Sequence, residues 1–166
     1  MSVAAVTSYN LSIFLHVTAV VVGMGATFAE SVTFPVAMMT DKRHLPYVHR
    51  LQRAVNQWLT TPALVVVIAT GFYQVSKGNW SFGDFWISGS FGIVIVIGGI
   101  LGAYFIPEDR KLQAMAERDL GSAPAAGEIA MSDEYMRRSR MEGIVGAVTG
   151  LLVVAAIFLM VTKPGM

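Results

Sequence analysis

Four apolar stretches divide this chain, and each is long enough to cross a lipid bilayer as a helix. They run at about 11–39, 58–75, 85–106 and 144–162. A helix rises about 1.5 Å per residue and the hydrocarbon core is about 30 Å thick, so roughly 20 apolar residues suffice. Lipid offers no water to unpaired backbone groups, so each stretch is expected to be helical despite its many β-branched residues. The expected fold is all-α: a single membrane domain over residues 1–166, an integral membrane four-helix antiparallel bundle with charged loops at 40–57 and 107–141.

Composition supports this. Apolar types make up 54% of the chain and charged types 14%, and mean hydropathy is +0.58. A soluble domain carries about a quarter charged residues, because its surface faces water. This chain has too little polar material to coat itself. Its net charge of +1 gives no case for nucleic acid, and the absence of cysteine removes disulfides, thiolate metal sites and cysteine nucleophiles. The first stretch differs from a signal peptide: no Lys or Arg precedes Lys42 and no small-residue cleavage pattern ends it, so it is read as a retained helix.

Ten of the twelve basic residues fall in the two charged loops, and only Lys77 and Lys163 lie on the other side. The positive-inside rule makes the loop side cytoplasmic, with both termini outside in a multi-pass protein of the inner (cytoplasmic) membrane. Phe72, Tyr73, Trp80, Phe82 and Trp86 are then expected at the outer interface, and Trp58, Tyr104 and Phe105 at the inner one.

Within the loops, Val48, Leu51, Val55 and Leu59 recur at helical spacing after Pro46, so the second helix is expected to begin before the membrane. Pro107-Glu108-Asp109 reads as a helix start, Gly121–Gly127 as a linker, and Ser132 as the cap of the last helix. Small residues are expected to mark tight contact between the third and fourth helices: Ser88, Gly92, Gly98, Gly99 and Gly102 on one, Gly143, Gly146, Ala147 and Gly150 on the other.

Two polar lines stand out. His16, Val20, Gly23, Thr27, Glu30 and Phe34 share one face of the first helix; Asn56, Thr60, Ala63, Val67, Thr70 and Gln74 share one face of the second. Helices joined by a short loop pack as neighbours, so these lines are expected to meet in the interior. His16 and Glu30 are the ionisable residues within the spans, which makes them default functional candidates. They lie about 21 Å apart along the axis. His16 is read as a haem ligand, a quinone contact or a proton carrier, or else as a histidine bonded to a neighbouring helix. Glu30 is read first as an acid paired with Arg53 or bonded to Asn56 and Thr60, and second as a proton site or ligand counter-charge.

His44 and His49 sit across the membrane from His16, so a bis-histidine haem within one chain is not expected. Five residues apart with Pro46 between them, they are expected in a solvated or headgroup-facing loop, and no metal site is expected. The ten methionines are read as core filling. No hydrolase, nucleotide-binding or protease motif is present, and no catalytic residue is assigned.

Leu15-His16-Val17-Thr18-Ala19-Val20 with the later Pro35 resembles the first helix of the bacterial four-helix protoporphyrinogen oxidase family. Arg53, Thr60-Thr61-Pro62-Ala63-Leu64 and Thr70-Gly71-Phe72 resemble that family's second helix, and the copper-resistance D-type membrane domain shares the layout. The chain is similar, more closely, to bacterial predicted integral membrane proteins of unknown function with this layout. The resemblance implies the four-helix fold and a haem- or porphyrin-handling role for His16. The oxidase family also has a lysine early in the third helix, shortly after a tryptophan; here Trp86 is followed by Ile87-Ser88-Gly89-Ser90, so the reaction itself is not carried over.

Three functions follow, in order. The first is a non-catalytic subunit or accessory of a larger membrane complex. The second is a haem-, porphyrin- or quinone-binding redox protein using His16, completed by a second copy of the chain in a homo-oligomer. The third is a small proton-coupled transporter using Glu30 and the second-helix polar line.

Overall fold

A computed structural model describes residues 7–123 and 129–165, and the chain there forms four long helices: α1 (Ser8–Thr40), α2 (Lys42–Lys77), α3 (Phe85–Gly121) and α4 (Asp133–Thr162). They hold 33, 36, 37 and 30 residues. At about 1.5 Å per residue each exceeds the bilayer core by several turns. The excess lies at the basic end, so most of the two charged loops is helix. Part of the expected Gly121–Gly127 linker falls outside the described residues.

One residue, Asp41, joins α1 to α2. Its carboxylate accepts the backbone N–H of Arg43 at 2.9 Å and starts the next helix. That hydrogen bond, helped by the Arg43 charge, holds the Asp41 carboxyl below its ordinary range. So short a joint leaves α1 and α2 no arrangement but antiparallel neighbours. At the opposite end, the α2–α3 turn needs Gly78: a Cβ there would lie 2.5 Å from Trp80 Cδ1 and 2.8 Å from the Gln74 carbonyl. Ser132 caps α4, accepting the Tyr135 N–H at 3.4 Å.

Pro107 does not start a helix. α3 runs through it by way of one wide π turn, Leu101–Phe105, and α2 does the same ahead of Pro62 with Asn56–Thr60. A proline in a regular helix lacks a donor and crowds the carbonyl four residues back. The wide turn relieves this by bonding one residue further: Thr61 N–H to the Asn56 carbonyl, Ile106 N–H to that of Leu101. The Thr61 hydroxyl adds a 2.7 Å bond to the Asn56 carbonyl. Such single π turns occur frequently at functional sites.

The helices associate as two pairs, α1 with α2 and α3 with α4, while α2 and α3 meet mainly at the basic end and α1 barely touches α4. Gly23 carries the α1–α2 contact: a Cβ there would lie 3.1 Å from that of Ala63. The third and fourth helices are neighbours, yet their small residues are not the seam. Gly89 faces Leu159 and Gly98 faces Leu64 of α2, whereas nothing lies within 4 Å of a Cβ at Gly92, Gly99, Gly102, Gly143, Gly146 or Gly150. Burial falls instead on Ile87, Ser90, Val94 and Ile97 of α3 and on Thr149, Val153 and Ala156 of α4. The densest packing lies in the basic-end extension, where Leu45, Leu112, Ala116 and Tyr135 are fully buried. The apolar lengths keep most of their surface facing outward, as helices solvated by lipid do.

Candidate functional site

Loose contact between α1 and α4 opens a lateral cleft of about 480 Å³, within the range of small-molecule sites. Its rim is apolar and exposed: Phe28 and Pro35 on α1, Ala147, Leu151 and Val154 on α4. Gly143, Gly146 and Gly150 line the α4 wall. Their missing side chains make room for the cleft, which is why they touch nothing.

The floor is polar. Glu30, Gln52, Asn56, Thr60, Asp109, Ser139 and Glu142 line it, and no Lys, Arg or His among the described residues does. Buried oxygens of Glu30, Gln52 and Thr60 have no hydrogen-bond partner among the described residues, and those of Asp109 and Ser139 have none of full hydrogen-bond geometry, Asp109 facing His49, Asn56 and Glu142 and Ser139 facing Tyr135. Unmatched buried acceptors are costly, about 1–3 kcal/mol each and more for charged groups, so their convergence is a feature that folding alone does not favour.

Beneath the floor lies a second layer. His49 is fully buried, shares a 2.9 Å hydrogen bond through Nε2 with the Tyr135 hydroxyl, and brings Nδ1 to 3.5 Å from Asp109 Oδ1. At 3.5 Å the latter contact is electrostatic, longer than a formed hydrogen bond. Ligand atoms of His49, Asp109 and Glu142 all lie within 4.8 Å of one another. Two basic side chains of this end have partners outside the site: Arg138 with Glu108 at 2.7 Å and Glu134 at 3.4 Å, Arg53 with Gln113 at 3.1 Å.

The sequence-derived candidates fall in two groups. Thr27, Glu30, Asn56 and Thr60 line the cleft. His16, Thr70 and Gln74 lie toward the other end of the α1–α2 seam, where His16 Nδ1 is 2.9 Å from Thr70 Oγ1 and Gln74 donates to the Ser12 carbonyl at 3.2 Å. The space beside His16 is about 20 Å³, room for one water. Two expectations change. Arg53 bonds Gln113 rather than Glu30, whose Oε1 has no partner among the described residues. His49 is buried core, not solvated loop; only His44 stays exposed. The reason is the helical extension of α2, which turns Leu45, Val48 and His49 inward together.

His49, Asp109, Tyr135, Ser139 and Glu142 were not singled out by sequence reasoning. A signal existed: His49, Gln52, Asn56 and Thr60 continue the second-helix polar line by three- and four-residue steps, and Tyr135, Ser139, Glu142 and Gly146 do the same on α4. The expected polar line starts only at Asn56 on the second helix, and none is drawn on the last, although both segments are expected to be partly helical.

Four apolar helices enclosing a polar-floored cleft define a multi-pass integral membrane protein. The family model described as "Predicted integral membrane protein (DUF2269)" matches residues 11–164, and the chain belongs to that family. No curated protein and no solved structure matches the chain.

Proposed function

We propose that this membrane protein binds a small amphiphile that enters sideways from the lipid between α1 and α4, with a hydrogen-bond-donating head, an alcohol or an amine, set against the floor. One observation carries this reading: a cavity of about 480 Å³ whose rim is apolar and exposed and whose floor holds buried acceptors without partners. A head with N–H or O–H groups supplies the donors that Glu30, Gln52 and Thr60 lack, while its tail stays against Phe28, Leu151 and Val154. Glu30 is then a ligand contact, and a carrier role that uses its proton follows naturally. Among the roles read from the sequence, the Glu30 role gains the most. An accessory subunit that holds such a molecule for a larger assembly or a second copy fits the same cleft. With the basic end cytoplasmic and the termini outside, the floor lies toward the inner leaflet of the cytoplasmic membrane.

The test is photolabelling in liposomes with a long-chain primary amine carrying a diazirine, mapped by mass spectrometry. Adducts are expected on residues 27–35 and 143–154 and should largely disappear in Gly146→Leu/Gly150→Leu, which fills the cleft. Labelling spread evenly over lipid-facing residues such as Val21, Phe72 and Val161, unchanged by the filled cleft, would sink the proposal.

A further inference from the structure

We infer that His49, Asp109 and Glu142 form a binding site for one divalent first-row transition-metal ion, linking α2, α3 and α4 at the basic end. The inference does not rest on what occupies the cleft.

The argument starts with lone pairs. The Tyr135 hydroxyl holds Nε2 of His49 at 2.9 Å, leaving Nδ1 as the ring atom turned toward Asp109. When Nε2–H donates to the Tyr135 hydroxyl, Nδ1 presents its lone pair beside Asp109, the tautomer a metal ligand needs. His49 Nδ1 and both Asp109 oxygens have no partner of full hydrogen-bond geometry among the described residues, and both side chains are at least nine-tenths buried. Glu142 adds a second carboxylate from α4.

A cation resolves this arrangement, and a dication balances the two carboxylates. Burying carboxylates without close counter-charge is costly; Arg138 is paired with Glu108 and Glu134, and Arg53, bonded to the neutral Gln113 amide, acts on Asp109 through its charge without a direct contact among the described residues. Imidazole with carboxylates is a ligand set for zinc, iron or manganese; calcium and magnesium prefer all-oxygen shells. Ligands about 2.1 Å from an ion stand at most roughly 4.2 Å apart. Closing the present 4.8 Å limit to that takes a shift of about 0.6 Å. The Tyr135 bond orients the ring from behind, as partners of metal-bound histidines do.

The full-length protein, purified in detergent and dialysed against a chelator, is titrated with Co²⁺ and Zn²⁺. Bound metal is read by elemental analysis, and Co²⁺ by its visible d–d bands. One equivalent per chain is expected, retained in His44→Ala and in Gly146→Leu, with affinity at least about tenfold weaker in Asp109→Asn, Glu142→Gln and Tyr135→Phe. Wild-type protein that takes up no metal, or variants that bind as tightly as wild type, overturn the site. Should Asp109→Asn fail to fold, Glu142→Gln, whose side chain is only half-buried, makes the same comparison. Retention in Gly146→Leu separates failure here from failure of the cleft proposal.

Discussion

Nδ1 of His49 lies 3.5 Å from Oδ1 of Asp109, both side chains shut away from solvent, although the two residues come from separate charged segments of the sequence. Tyr135 completes the arrangement from α4. Tyr135→Phe removes the only hydrogen bond described to Nε2 and leaves a buried ring nitrogen without a partner. A destabilisation of about 1–3 kcal/mol is expected, read as a lower melting temperature by circular dichroism in detergent. Tyr47→Phe, at an exposed position, should leave it unchanged.

Gly23 and Gly146 should respond in opposite senses. Gly23→Leu forces side-chain bulk into the 3.1 Å approach to Ala63 and is expected to cost about 1–3 kcal/mol by overpacking. Gly146→Ala adds a methyl where nothing lies within 4 Å and should stabilise the helix by up to about 1 kcal/mol. Melting temperatures of the pair decide the matter. Equal losses would mean that the cleft is closed in the membrane.

The His16–Thr70 tie joins α1 to α2 toward the end opposite the cleft floor. Thr70→Val should cost about 0.5–1.5 kcal/mol in thermal unfolding. With about 20 Å³ beside His16, a porphyrin has no room unless the helices part. Protein purified after growth with ample haem is expected to show no Soret band. A band that His16→Ala abolishes would move the ligand site to this end of the bundle.

Asp119 accepts both the backbone N–H of Ser132 at 2.9 Å and its hydroxyl at 2.6 Å, fastening the end of α3 to the start of α4. Asp119→Ala removes both bonds and weakens the cap. A loss of about 1–2 kcal/mol is expected, with amide hydrogen exchange rising first at residues 132–136 rather than along the apolar length of α4.

Sidedness is open to a direct measurement. Alkaline phosphatase fused after Met166 should be active outside, and the same fusion after Gly121 inactive. The reverse pattern would place the cleft floor at the outer leaflet without altering the fold.

The sequence by itself determined four membrane helices and their antiparallel order, because lipid forces backbone bonds to close within each helix and leaves hydrophobic length as the governing quantity. Ser132 as a cap and Gly23 on the seam were legible for the same local reason. What only the tertiary structure decided was where the helices stop touching. The glycines of α4 carry a pattern that means close approach in one packing and an open wall in another; spacing is identical in both, and only the neighbour distinguishes them. His49 was hidden likewise. Charge density marks a segment as outside the lipid, but it does not say whether that segment is a loop or a helix extension with its own buried side. Three extensions meeting at the basic end made a core there, and that core turned a histidine and two acids from distant parts of the chain toward one another.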